Sequence, residues 1–175
     1  MTLASRSPQR AAILTQLGVA FDAEPADVDE LSQGNPVEVA LENARRKAGG
    51  RQNTLGVDTL VALDGVIYGK PTDAAAALQT LRALAGRTHA VVSGLVYEGD
   101  GVTVTTEVTF RELSDAFLDW YVATGEWEGR AGGYAIQGKG AALVRGIRGD
   151  YLNVVGLPVA ALIDLLGEPG APAPA

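Results

Sequence analysis

Asp58 and Lys70 stand near the two ends of an apolar segment, Gly56 to Pro71, that reads as a folded ribbon. The run Thr59 to Leu63 is followed by Asp64-Gly65 and then by Val66, Ile67 and Tyr68. Asp-Gly between two apolar runs is the strongest short-range signal for a two-residue hairpin loop. With that loop Leu63 faces Val66, and counting outward sets Thr59 opposite Lys70, with Asp58 one step further on. Strict alternation sends Asp58 and Lys70 to opposite faces. Gly69 and Pro71 both disrupt regular pairing, so a bend between them could swing the ammonium to the carboxylate's side. A carboxylate beside a cation at the end of a ribbon suits metal-assisted phosphate chemistry. The alternative from spacing is a surface ion pair, which is common and energetically minor.

The other basic residues sharpen the question. Eleven of the fourteen are Arg, and the lysines are Lys47, Lys70 and Lys139. Where Arg dominates, each retained Lys is a candidate for a place that prefers a compact, point-like ammonium over a guanidinium fork, the alternative being surface lysines kept by chance. The single histidine, His89, lies in the strand-like Thr-His-Ala-Val-Val and reads as a hydrogen-bonded structural residue. With no cysteine and no second histidine, Ser-His-Asp hydrolysis, a cysteine nucleophile and thiolate or imidazole zinc sites have no basis. Carboxylates remain as bases, and oxygen-ligated magnesium or manganese as the metal.

Composition bounds the class. A chain of 175 residues, 47% hydrophobic, supports one core with a cleft. The expected organisation is one domain over residues 1–166 and a disordered Pro, Gly and Ala tail over 167–175. The net charge of −7 and pI near 4.7 argue against a nucleic-acid binder, whereas a small phosphorylated ligand needs only a few local cations. Met1 to Ser7 has no apolar leader pattern, and no apolar run approaches ~18 residues. The expectation is a soluble cytoplasmic protein without a membrane partner.

Several elements must position these groups. Thr2 to Ser5 reads as a short buried strand running into Ser7-Pro8, an N-cap with proline at the first helical position. The helix continues to about Leu17 and stops at Gly18. Its N-terminus offers unpaired N–H groups near Ser5, and Arg10 in the first turn opposes the helix dipole, which fits an anion site as well as a solvated side chain. Asp27 to Glu30 is an acidic loop run able to ligate a hard cation or simply to be solvated. Asn35-Pro36-Val37-Glu38 starts a helix to about Ala48 that carries Arg45, Arg46 and Lys47 at its end. After the hairpin come a helix over about 72–85, antiparallel strands over about 88–97 and 102–110, and a helix from Ser114 to about Ala123. Trp120, Tyr121 and Trp127 read as core or interface residues. The glycine-rich stretch 132–140 lacks both a P-loop ending and a dinucleotide fingerprint, yet lets backbone approach a ligand. A strand over 142–147, a loop over 149–153 and a helix over about 157–166 close the chain.

Taken in order, Leu3-Ala4-Ser5-Arg6-Ser7-Pro8-Gln9-Arg10, Val28-Asp29-Glu30, Ala44-Arg45-Arg46-Lys47-Ala48, Gly56-Val57-Asp58-Thr59, Gly69-Lys70-Pro71, Tyr134-Ala135-Ile136-Gln137-Gly138 and Asn153-Val154-Val155-Gly156-Leu157-Pro158 resemble the motifs of the Maf-type nucleoside triphosphate pyrophosphatases. The resemblance runs from Leu3 to about Leu166. It implies an α/β fold related to inosine triphosphate pyrophosphatase, with a mixed, strongly twisted sheet, flanking helices and a cleft between two lobes. It also implies hydrolysis of a nucleoside triphosphate to the monophosphate and pyrophosphate with Mg²⁺ or Mn²⁺, by a homodimer. Carried over position by position, Asp58 is the general base, and Arg10, Lys47 and Lys70 are the triphosphate-binding cations. Ser5 contacts phosphate, and Glu30 joins Asp58 in holding metal or water. Thr59 and Gln137 resemble the subgroup that acts on dTTP and UTP. Gln9 departs from the arginine usual at its position, which widens the expected substrate range, although its amide can still hydrogen-bond a base carbonyl. Two other readings are a pyrophosphatase for modified nucleotides such as 7-methyl-GTP and a non-catalytic nucleotide-binding regulator linked to cell division.

Overall fold

A computed structural model describes residues 1–167 of the chain. The tail expected to be disordered lies, from residue 168 onward, outside the described residues. The sheet is built around two long strands, β3 (Thr54–Leu63) and β5 (Thr88–Tyr97), which pair antiparallel with Asp58 opposite Gly94. β1 (Thr2–Leu3) runs parallel to β3 on one side and parallel to the two-residue β2 (Asp22–Ala23) on the other. β6 (Asp100–Phe110) and β7 (Val144–Arg148) extend the other edge antiparallel, and β4 (Val66–Tyr68) folds back on the end of β3. The order β2-β1-β3-β5-β6-β7 is therefore a mixed, strongly curled sheet, flanked by helices as the sequence indicates.

Local chemistry sets most element ends. Ser7 caps α1 (Pro8–Gln16) by accepting from the Arg10 amide, and Asn35 caps α2 (Pro36–Ala48) by accepting from the Val37 and Glu38 amides. Asp73 and Ser114 do the same for α3 (Ala74–Leu84) and α4 (Asp115–Val122). Asp64 and Gly65, both at positive φ, make the two-residue hairpin loop with Leu63 opposite Val66.

Helix α2 lies unusually close to the sheet. A Cβ on Gly56 would sit 2.1 Å from the Ala44 carbonyl oxygen, and one on Gly94 would sit 2.3 Å from that of Ala40. Only glycine admits this approach, and it brings the end of α2 over Asp58.

Two larger apolar clusters form the lobes. One gathers Leu3, Leu14, Leu55, Val57, Leu95 and Leu162 around α1, β1 and α6 (Val159–Leu166). The other gathers Leu81, Leu84, Phe110, Leu118, Tyr121 and Leu143 around α3 and α4. His89 is buried in the second, its Nε2 2.8 Å from the Tyr134 hydroxyl and its ring edge-on to Phe110, the structural role the sequence indicates. Burial pushes its pKa down to about 4 and that of Tyr121 up to about 12.

Three expectations need correction, and one strand carried no signal. The stretch read as a loop over 149–153 contains α5 (Tyr151–Val155), capped by Asp150, because an Asp directly after Gly149 starts a turn of helix. The last strand begins at Val144 because residues Gly138–Leu143 form a 3-10 helix. Strand β2 was not legible, having two exposed residues and no alternation. Trp120 is 46% exposed, its ring tilted against that of Phe117, whereas Tyr121 and Trp127 are buried. Among the described residues no helix is long and apolar enough to cross a membrane.

Candidate active site

A cavity of about 640 Å³ opens between the two clusters, a size that suits a nucleotide-sized ligand. All nine residues singled out by the sequence line it: Ser5, Gln9, Arg10, Glu30, Lys47, Asp58, Thr59, Lys70 and Gln137. They reach it from six separate segments of chain.

Asp58 is the buried carboxylate of the site, 6% exposed. Its cation is Lys47, not Lys70. Lys47 Nζ lies 2.5 Å from Asp58 Oδ1 and 2.9 Å from Glu30 Oε1, so one ammonium from α2 bridges a strand carboxylate and a loop carboxylate. The hairpin's own register explains why Lys70 is absent from this pairing. β4 stops at Tyr68, and the Gly69 carbonyl accepts from the Gly132 amide at 3.0 Å, so the ribbon hands over to the glycine-rich segment before Lys70 can pair. Lys70 is left exposed at the cavity, without an ion pair among the described residues. The alternative of a surface ion pair between Asp58 and Lys70 therefore does not describe this site.

Arg10 is buried and tightly tied. Its Nε donates to the Gly156 carbonyl at 2.8 Å, Nη1 to Ser5 Oγ at 2.9 Å and to the Val57 carbonyl at 3.0 Å, and Nη2 to Thr59 Oγ1 at 3.0 Å. Thr59 Oγ1 also lies 2.8 Å from Ser93 Oγ. Asn153 makes the Gly156 contact possible by donating to the Val91 carbonyl and Thr106 Oγ1, which pins α5 to the sheet. Burial lowers the Arg10 pKa from its ordinary value, and the nearby Asp58 and Glu30 charges oppose that shift. The guanidinium thus fixes the junction of β1, α1 and β3 and places its positive charge at the cavity wall.

Two further residues of the site carried no signal on their own. Asn43, 2% exposed, donates from Nδ2 to Asp58 Oδ2 and to the Leu31 carbonyl, both at 3.0 Å, and accepts from the Leu31 amide at 2.7 Å. It ties the loop carrying Glu30 to the buried carboxylate. Its place one helical turn before Lys47 on α2 is the only hint the sequence holds. Arg130 lines the far wall and donates to Gln9 Oε1 at 2.6 Å, a contact across 121 positions that no local pattern announces. In the glycine-rich stretch Gly132 and Gly140 serve close chain packing, against Val61 and the Ala135 carbonyl, while Gln137 and Gly138 face the cavity.

The fold and the site define an α/β protein with a cation-lined cleft for an anionic ligand, centred on a buried, ion-paired carboxylate. The chain belongs to the family of Maf-like proteins, whose model matches residues 1–169. It is 47% identical to the dTTP/UTP pyrophosphatase of Anaeromyxobacter dehalogenans (strain 2CP-C), over 99% of this chain and 96% of the relative. It is 45% identical to the protein of the same name from Moorella thermoacetica, over 95% and 93%, and 43% identical to that from Pyrococcus furiosus, over 94% and 92%.

Proposed function

We propose that this protein is a nucleoside triphosphate pyrophosphatase that converts dTTP and UTP to the monophosphate and pyrophosphate. The observation that carries the reading is Asp58, a buried carboxylate opening on a cavity whose wall bears Arg10, Lys47 and Lys70. The names of the relatives supply the nucleotide class. In the reaction Asp58 takes a proton from water as the water oxygen bonds to the α-phosphorus, the bond from that phosphorus to the α–β bridging oxygen breaks, and pyrophosphate leaves. Positive groups fixed before the substrate arrives stabilise the charge that develops on the leaving phosphates. Lys70, with no carboxylate paired to it among the described residues, is the cation most available to them, and Ser5 adds a hydroxyl just before α1. Gln9, Thr59 and Gln137 form the nucleoside contacts.

A divalent ion belongs to the same reading. Among the described residues no three metal-binding side chains are grouped. The donors near Lys47 are the carboxylates of Asp58 and Glu30. This set fits Mg²⁺ or Mn²⁺, which take one or two carboxylates and fill the remaining positions with phosphate and water oxygens. When bound, such an ion supplies charge neutralisation on the phosphates. The homodimeric state and cytoplasmic location complete the proposal, and light scattering on the purified chain tests the first.

The deciding experiment measures products from canonical and modified nucleoside triphosphates with Mg²⁺ or Mn²⁺. Pyrophosphate released from dTTP and UTP is the expected outcome. Release of free phosphate, or turnover of none of the nucleotides, overturns the proposal. Asp58→Asn is expected to keep nucleotide affinity and to lose roughly 10²- to 10⁴-fold in turnover, the usual worth of a positioned base.

A further inference from the structure

Gln9 Oε1 receives two donors, Ser7 Oγ at 3.2 Å and Arg130 Nη1 at 2.6 Å. The two are not equivalent. A hydroxyl can donate or accept, so Ser7 would tolerate either face of the carboxamide, but a guanidinium only donates. Arg130 alone therefore decides that the oxygen of Gln9 turns toward the wall. The amide nitrogen, with two N–H groups, makes no hydrogen bond among the described residues, and Gln9 lines the cavity.

Arg130 is itself placed for this task. Its amide donates to the Trp127 carbonyl, and its own carbonyl accepts from the Gly133 amide, which clamps the backbone on both sides. The side chain is half-buried, its Nε has no partner, and it forms no ion pair among the described residues. Gln9 is thus the contact that holds the guanidinium. Glu126 and Glu128 line the cavity in the same stretch of chain as Arg130, whereas Lys47 reaches it from the end of α2. Carboxylates repel a polyphosphate, so the wall formed by residues 126–130 suits the uncharged end of a nucleotide.

We propose that Arg130 is a positioning residue that fixes the carboxamide of Gln9 with its amino group toward the cleft, selecting a nucleobase that presents a carbonyl oxygen. This rests on the pyrophosphatase reading and adds the group that sets base preference. Uracil and thymine offer O4 to the two N–H donors. Cytosine offers an amino group at the same place, leaving donor against donor, and a buried polar mismatch of this kind discriminates strongly.

The test compares kcat/KM for UTP and CTP in the wild type, Arg130→Ala, Arg130→Lys, Gln9→Ala and the double variant, with binding of both nucleotides measured in an Asp58→Asn background. Arg130→Ala is expected to lower the UTP-to-CTP ratio about tenfold, the worth of roughly one hydrogen bond. Arg130→Lys, still a pure donor, is expected to restore most of the ratio. In the Gln9→Ala background, loss of Arg130 is expected to change the ratio no further. A ratio unmoved by Arg130→Ala, or an equal loss for both nucleotides, overturns the inference, the latter marking Arg130 as a phosphate contact. If the wild type releases pyrophosphate from no nucleotide, the functional proposal fails and this inference with it. Wild-type turnover with an unmoved ratio removes the inference alone.

Discussion

Gly94 stands directly opposite Asp58 in the β3–β5 ladder, and its missing side chain is what lets α2 carry Lys47 onto that carboxylate. An ion pair between a helix and the strand beneath it needs the helix backbone close to the sheet, and a Cβ at either Gly56 or Gly94 would overlap the backbone of α2.

Gly94→Ala is therefore expected to push α2 outward. Overpacking against rigid backbone costs about 1–3 kcal/mol, and the shift also lengthens the Lys47–Asp58 contact. Urea denaturation combined with pyrophosphate release checks both effects. An alanine variant as stable and active as the wild type would show that the helix has room to move.

Lys47 and Lys70 should separate cleanly in a stability assay. Removing Lys47 leaves Asp58 buried with an uncompensated charge, so Lys47→Ala is expected to destabilise the fold by about 3–5 kcal/mol as well as to reduce activity. Lys70 is exposed and unpaired among the described residues, so Lys70→Ala is expected to stay within about 0.5 kcal/mol of wild type while turnover drops. Chemical denaturation of the two variants side by side makes the comparison.

Asn43→Ala removes three hydrogen bonds at once and strands the Leu31 amide and carbonyl. The expected loss is about 1–3 kcal/mol, with the loop bearing Glu30 loosened at Leu31 while Lys47 and Arg46 still hold Glu30 and Asp29. Hydrogen exchange at the Leu31 amide reads this directly: protection should fall in the variant, and retained protection would mean that the loop is held by something else.

The buried imidazole gives a pH signature. His89 in the unfolded chain takes a proton as pH falls through 6.5, whereas in the folded chain burial holds the pKa down to about 4. Its share of stability is complete above pH 6.5 and is lost as pH falls from there to about 4, on the order of 3 kcal/mol in total. His89→Gln, which keeps a hydrogen-bonding group for Tyr134, is expected to flatten that part of the stability profile. Denaturation midpoints at pH 7 and pH 4.5 for both proteins supply the measurement.

The parts legible in the sequence are those whose causes lie within a few residues. Ser7-Pro8 and Asn35-Pro36 start helices because the cap and the proline act on the adjacent turn, and Asp64-Gly65 closes the hairpin because its backbone conformation is a local choice. The motif order also sufficed to indicate the family and to pick out nine residues that the fold brings to one cavity. Local cues failed where they were weak or in conflict. The α5 turn was hidden by a glycine and an aspartate that serve equally in loops, and β2 exists only because β1 offers it an edge.

What the tertiary structure alone decided is which group touches which. The ribbon joins Asp58 to Lys70, yet the partners of Asp58 are Lys47 and Asn43, since glycines in two neighbouring strands let α2 lie close against the face of the sheet. Arg10 resembled a free anion ligand in a helix's first turn, but four donor contacts to Ser5, Val57, Thr59 and Gly156 make it the tie of three elements. Gln9 acquired a direction only when Arg130 arrived from the far wall. Residue types and spacing determine what chemistry is available and where the chain turns. Partner choice depends on how closely distant backbones can approach, and that is settled only when the whole core is packed.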